Sequence, residues 1–308
     1  MKSLNDLRIV FFGTPDFALA SLVAVLAAKL NVVAVVTAPD KPSGRGLKIH
    51  ETPVKLRALQ HNIPVLQPEK LKSPAFIEKL KSYNADIQVV VAFRMLPEVV
   101  WNMPPLGTIN VHASLLPQYR GAAPINWVII NGETETGVTT FRLQHAIDTG
   151  NILLQDQEPI LPTDNAGTLH DKLMHRGAAL LLKTLEGIAA NNITPQPQSA
   201  ATELRHAPKI FKPDTEINWQ YSGQQIQDFI RGLSPHPAAF SHLKEKQVKI
   251  YATQLGEAHS GEVPGSFNTD GKTYLRLAAK DVWVNVEELQ QEGKKRMQVG
   301  EFLRGFRA

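Results

Sequence analysis

Apolar residues recur in two rhythms along this chain, and the change between them divides it. Up to about residue 190, solid apolar blocks alternate with helix-length amphipathic stretches. Leu7-Arg-Ile-Val-Phe-Phe-Gly13 predicts a buried strand that stops at glycine. A helix follows to about Lys29, with Thr14 as a candidate cap, Pro15 at its first position and Asp16 in its first turn. Val32–Thr37 predicts the next strand, so the chain opens as strand–helix–strand and implies a parallel sheet. The pattern then repeats. Helices are expected over Pro53–His61, Pro74–Tyr83, Leu96–Trp101 and Ile125–Asn131. Strands are expected over Ile63–Leu66, Asp86–Ala92, Gly107–His112, Thr136–Leu143 and Gly150–Leu154. A last helix starts at Asp164 or Asn165 and ends near Ala190.

Residues 191–213 break the rhythm with Pro195, Pro197, Pro208 and Pro213 and read as a linker. Beyond it, Gly223–Leu233 predicts one helix. Val248–Thr253, Gly261–Phe267, Thr273–Ala278 and Asp281–Val286 are short alternating runs separated by turns. The expected architecture is an α/β, Rossmann-like, mostly parallel sheet with helices on both faces, followed by a smaller OB-like β-barrel. The corresponding domains are 1–190, a linker at 191–213, and 214–308. Two further features narrow the first domain. Gly13-Thr-Pro-Asp-Phe17 lacks the second and third glycines of a dinucleotide fingerprint. The stretch Ala38–His50 holds two prolines, two glycines and three cations, more than a connector needs. It reads either as a surface loop or as a basic arm that meets phosphates.

Composition adds exclusions. The 308 residues are 43% hydrophobic and 20% charged, as in a soluble globular protein. The absence of cysteine removes disulfides, zinc–thiolate sites and a thiol nucleophile. The longest apolar stretch, Phe17–Ala28, is too short to span a bilayer, and the amino terminus carries no signal-peptide pattern. A cytoplasmic setting is expected. Of the net charge of +4, +3 falls in residues 205–308, which hold 15 Lys/Arg against 12 Asp/Glu.

The chemistry concentrates at Asn110–Pro124. This stretch follows an apolar strand and precedes a helix, so it sits where a buried strand opens into a loop, the usual ligand position in open α/β sheets. Asn110 and His112 are two apart and therefore share one strand face. An amide donor beside an imidazole suits oxyanion stabilisation and proton movement. A turn-forming Asn and a core-satisfied His remain the alternative. Asp148, before Thr149-Gly150, belongs on a turn. His145, His170 and His175 have no partners at a metal-ligand spacing.

Asn110-Val-His112-Ala-Ser114-Leu-Leu-Pro117, Arg120-Gly-Ala-Ala-Pro124 and Asp148-Thr-Gly150 resemble the folate-dependent formyltransferase family. The opening Phe11–Phe17, the loop Pro39–Gly46 and the stretches Gln291–Met297 and Glu301–Gly305 fit the same resemblance over nearly the whole chain. Two departures are visible. Ser234-Pro-His-Pro237 stands where the family often has Asn-Pro-Trp-Pro, and Ala146-Ile147 precede Asp148 where Gly-Leu is usual. The resemblance implies formyl transfer from 10-formyltetrahydrofolate, as co-substrate and without metal, to the α-amine of initiator methionyl-tRNA. It also implies Asn110, His112 and Asp148 as the catalytic groups. Folate would lie against Ser114, Leu115, Leu116 and Pro117, and against Val91, Phe93 and Leu96 at the preceding strand end. The tRNA would meet Lys41, Arg45 and Lys48 on the basic loop and Lys294, Lys295 and Arg296 in the last domain. A monomer acting away from membranes is expected. Formylation of a sugar-nucleotide or ribonucleotide amine, or hydrolysis of formyltetrahydrofolate, would use the same three polar groups.

Overall fold

The computed structural model describes residues 3–43, 48–199 and 203–306, which form two compact units. One unit comprises residues 1–120, 137–158 and 170–206, and the other residues 121–136, 159–169 and 207–308. Chain order gives β1 (Ile9–Gly13), α1 (Asp16–Ala27), β2 (Val32–Val36), β3 (Lys41–Ser43), β4 (Lys48–His50), α2 (Pro53–Gln60) and β5 (Val65–Leu66). Then come α3 (Pro74–Ser82), β6 (Ile87–Val91), α4 (Glu98–Trp101), β7 (Thr108–His112), β8 (Arg120–Gly121), α5 (Pro124–Ile130), β9 (Glu135–Arg142), β10 (Ile152–Pro159) and α6 (Ala166–Ala189). The remainder is β11 (His206–Ala207), α7 (Gly223–Leu233), β12 (Ala239–Leu243), β13 (Lys246–Ala258), β14 (Phe267–Thr269), β15 (Leu275–Ala278), β16 (Val282–Gln291), β17 (Met297–Gln298) and α8 (Val299–Leu303).

The main sheet runs β10-β9-β7-β6-β1-β2-β5. Its β7-β6-β1-β2-β5 portion is parallel, and β9 joins β7 antiparallel. All five residues of β1 and of β6 are buried, as expected of strands covered on both faces. Val10 and Phe12 of β1 join Phe76 and Leu80 of α3 in one apolar cluster. On α6, Gly177 leaves room for Val111 of β7, whose methyl would lie 3.0 Å from an added Cβ. This layering turns Val111 toward α6 and leaves Asn110 and His112 to share the opposite face.

Thr14 does not cap α1. Pro15 occupies the cap position with extended backbone, and no side chain bonds there. Thr52 does cap α2, accepting from the Lys55 amide at 3.1 Å, with Pro53 at the first helical position. The basic loop forms the β3–β4 hairpin, in register from Lys41↔His50 to Ser43↔Lys48. Its base is tied down: Lys55 pairs with Asp40 and, at 2.7 Å, with Glu51, while Gln67 donates to Asp40 at 2.7 Å. The hydrogen bond from Lys55 holds the Asp40 carboxyl below the usual carboxylate range, and Gln67 adds to it.

Residues 196–198, within the expected linker, run beside the main sheet, and Gln196 and Ile152 exchange backbone hydrogen bonds at 2.8 Å each way. In the second unit, β12-β13-β16-β15-β14 form a curled antiparallel half-barrel, with β17 added to β16. Register shifts along the β13–β16 ladder provide the bend. Ile226, Ile230 and Leu233 of α7 pack into its core with Val248, Ile250, Leu277, Val284 and Leu289. Strand β12 was not anticipated. The run expected over Gly261–Phe267 is mostly loop, and its strand starts at Phe267.

Candidate active site

Strand β7 delivers Asn110 and His112 at its carboxyl end, near the middle of the main sheet, where the strand order turns back at β1. The register places Asn110 opposite Phe141 and His112 opposite Thr139 on β9. Phe141 meets the His112 ring edge-on, with centroids 6.5 Å apart. His112 is 6% exposed, and its Nε2 lies 2.9 Å from the Tyr119 carbonyl oxygen. A carbonyl can only accept, so Nε2 carries a hydrogen and donates it. The other nitrogen, Nδ1, faces Asp148 Oδ2 at 3.9 Å. That separation allows a charge pair, yet it exceeds a normal hydrogen bond. The Asn110 side chain is half-buried and makes no hydrogen bond among the described residues, so its amide donors remain available.

Asp148 is on a turn, as its Thr-Gly successors imply. Its φ is +53°, in the left-handed region that Asp tolerates better than most residues. Thr149 Oγ1 closes the turn by donating to the Ala146 carbonyl at 3.0 Å. Gly150 is obligatory, because a Cβ there would sit 1.6 Å from the Arg142 carbonyl oxygen. The turn is also held from the side. Gln198 Nε2 donates to the carbonyls of Asp148 and Gly150, each at 2.8 Å.

The expected folate residues fall into two classes. Val91 and Leu96 are buried, and between them Ala92, Arg94 and Met95 are exposed. Phe93 packs edge-on against Phe12, with centroids 5.7 Å apart, and carries the Arg94 guanidinium above it. The Ser114 hydroxyl is buried and donates to the Gln118 carbonyl at 2.7 Å. Leu115 packs over Gly137, where a Cβ would meet its methyl at 2.6 Å. Thr139 and Gln155 fix the loop: Thr139 Oγ1 donates to Ser114 O at 2.6 Å and accepts from Leu116 N, while Gln155 donates to Leu116 O at 2.9 Å. Leu116 is 3% exposed, and Pro117 follows it half-buried. These residues therefore shape a wall by their backbone course more than by free polar groups.

Of the expected tRNA contacts, Lys41 is exposed on β3. Arg45 lies outside the described residues, and for Lys48 only the backbone is described. Lys294 and Lys295 are exposed. Arg296 is engaged within its own sheet, pairing with Glu288 and lying 4.2 Å from the Tyr251 ring centroid. His145 is on the surface, 3.7 Å from Glu98. Among the described residues there is no cluster of His, Asp or Glu that could hold a metal. Tyr119, Thr139 and Gln198 also belong to the site, unmarked by the sequence pattern. Tyr119 and Thr139 carry no motif of their own, and Gln198 sits in a Pro- and Gln-rich stretch that composition assigns to a linker.

Family models match in two parts. The model described as Formyl transferase covers residues 7–185, and Formyl transferase, C-terminal domain, covers 209–307. The chain is 55% identical over 311 residues to a methionyl-tRNA formyltransferase of Bacteroides fragilis, covering 98% of this chain and 96% of that one. It is 44% identical over 313 residues to that of Porphyromonas gingivalis, with 98% and 96% covered. Among solved structures it is similar to WlaRD, a sugar 3N-formyl transferase crystallised with dTDP and 5-N-formyl-THF. The TM-score is 0.69 at 22% identity, over 94% of this chain and 99% of that one. HypX from Aquifex aeolicus in complex with tetrahydrofolic acid gives 0.66 at 17% identity, over 97% of this chain and 48% of that one. At such identities the structural likeness speaks for the fold alone.

Proposed function

This chain belongs to the formyl transferase family, and from that premise we propose that it moves the formyl group of 10-formyltetrahydrofolate onto the α-amine of initiator methionyl-tRNA. Full-length relatives that carry that activity in their names support the choice of acceptor. The observation that carries the chemistry is the state of His112. One ring nitrogen is tied to the Tyr119 carbonyl at 2.9 Å, and the other faces the Asp148 carboxylate at 3.9 Å.

The residues present suit a folate formyl donor, because an unengaged amide, an imidazole and a carboxylate stand together at the sheet's carboxyl end. When bound, the donor supplies a carbonyl carbon open to attack. The acceptor amine is the nucleophile, so no Ser or Cys is required of the protein. A carbon–nitrogen bond to folate breaks, one to the amine forms, and the proton shed by the amine balances the one gained by the folate nitrogen. The Asn110 amide donates to the oxygen that gathers negative charge, a contribution of about 3 kcal/mol to the transition state. The Tyr119 carbonyl fixes the ring of His112, whose other nitrogen is turned to the Asp148 carboxylate. Asp148 also accepts the amine's proton, directly or through water. Lys41, Arg45, Lys48, Lys294 and Lys295 contribute phosphate contacts, with Arg296 a lesser one because Glu288 already holds it. The protein works as a monomer in the cytoplasm. Among the described residues no helix is long and apolar enough to cross a membrane.

Two assays test this. Formyl transfer to charged initiator tRNA should far exceed transfer to small amines or to water; the reverse ranking overturns the acceptor. Asp148→Asn should lose most turnover with an unchanged melting temperature. Near-normal turnover in that variant removes Asp148 from the chemistry.

A further inference from the structure

The amide of Gln198 has all four of its hydrogen-bonding positions filled by two segments that both also reach the His112 ring. Its Nε2 donates to the carbonyls of Asp148 and Gly150, at 2.8 Å each. Its Oε1 accepts from Arg120, from Nε at 3.0 Å and from Nη2 at 2.5 Å. Arg120 directly follows Tyr119, whose carbonyl takes the His112 Nε2 hydrogen. The contacts therefore close a ring. From His112 they pass to the Tyr119 carbonyl, along the chain to Arg120, across Gln198 to the Asp148 backbone, and back through the carboxylate to His112.

We propose that Gln198, oriented by Arg120, is a positioning residue that sets the separation between Asp148 and His112. The inference rests on the catalytic reading given above. The Asp148 turn needs such a holder for two reasons. Its left-handed backbone carries a conformational cost that only surrounding contacts maintain. At 3.9 Å the His112–Asp148 pair also sits at the margin of contact, so a small shift of the turn decides whether the carboxylate reaches the ring. Misplacing a reacting group by about 1 Å can cost about 100-fold in rate. Gln198 reaches the turn because residues 196–198 are themselves fixed beside β10 through the Gln196–Ile152 bridge.

Glutamate is the informative replacement. Gln198→Glu keeps the size and the acceptor for Arg120, but it sets a carboxylate against two carbonyls. In the full-length protein, kcat per folded molecule should fall about 10- to 100-fold in Gln198→Glu and in Gln198→Ala, with KM for both substrates changing less than about threefold. Arg120→Lys should retain more kcat than Arg120→Ala. On an Asp148→Asn background, Gln198→Glu should add little further loss, because a residue acting through Asp148 has nothing left to position. The proposal is overturned if both Gln198 variants stay within about twofold of the parent kcat, or if Gln198→Glu causes the same loss with Asp148 already replaced. If Gln198→Ala fails to fold, the glutamate variant alone decides. Should Asp148→Asn itself prove active, it is the catalytic reading that fails, a result separable from the others.

Discussion

The two sheets of this molecule treat polar residues differently, and the difference explains where chemistry can be read. In the main sheet, β1 and β6 are buried along their whole length, since helices cover both faces. A polar side chain at the end of such a strand has no solvated face to occupy, so Asn110 and His112 stand out against Ile109 and Val111. In the second sheet, Val284, Val286 and Leu289 of β16 enter the core while Asn285 and Glu287 turn outward. Polar residues there belong to the ordinary alternation of a half-solvated sheet. The same kinds of residue thus carry information in one sheet and little in the other.

Substitutions can press on this contrast. The largest stability effect is expected in the doubly covered sheet. Phe12→Ala, fully buried on β1, should cost about 3–5 kcal/mol, measured by denaturant unfolding. A loss under about 1 kcal/mol would mean that this sheet is not packed as tightly as its burial implies. Next, Asn110→Ala should lower kcat about 10²- to 10³-fold while leaving the melting temperature near that of the parent. If stability falls and kcat holds, Asn110 is a packing residue and the strand-end exception loses its meaning. The smallest effect belongs to the second sheet. Glu287→Ala, exposed on β16, should change stability by less than about 0.5 kcal/mol and leave turnover unchanged. A larger change would show that this outward row is not a plain solvated face.

The same contrast governs what the amino-acid sequence disclosed. Strands of the main sheet other than β10 were legible to within a residue or two, because a run such as Val32–Val36 admits no other placement. Strand β10 runs on past the expected end at Leu154 to Pro159, through the polar residues Gln155–Glu158. Strand β12 was missed: Ser241 and His242 interrupt its apolar run, and its start, just past Pro235 and Pro237, reads as a turn. Strands β13 and β16 run further than expected, since polar residues dominate their later halves, with Leu255 and Leu289 too isolated to mark a strand. Within the site, the strand-end pair and the Asp-Thr-Gly turn could be found, one by its apolar setting and the other by its turn chemistry. Gln198 could not. Its amide donates to backbone carbonyls 50 and 48 residues away, which leave no trace in side-chain pattern, and its side-chain partner, Arg120, is 78 residues away.

The crowding at Gly150 reaches beyond the fold. Every single-base change that replaces a glycine codon with another amino acid brings in a Cβ, and at this position that atom collides with the Arg142 carbonyl. At Gly150 the turn carrying the carboxylate therefore has no viable neighbour one mutation away. Variation in what the enzyme accepts must accumulate in the loops around it, while this corner stays fixed by geometry.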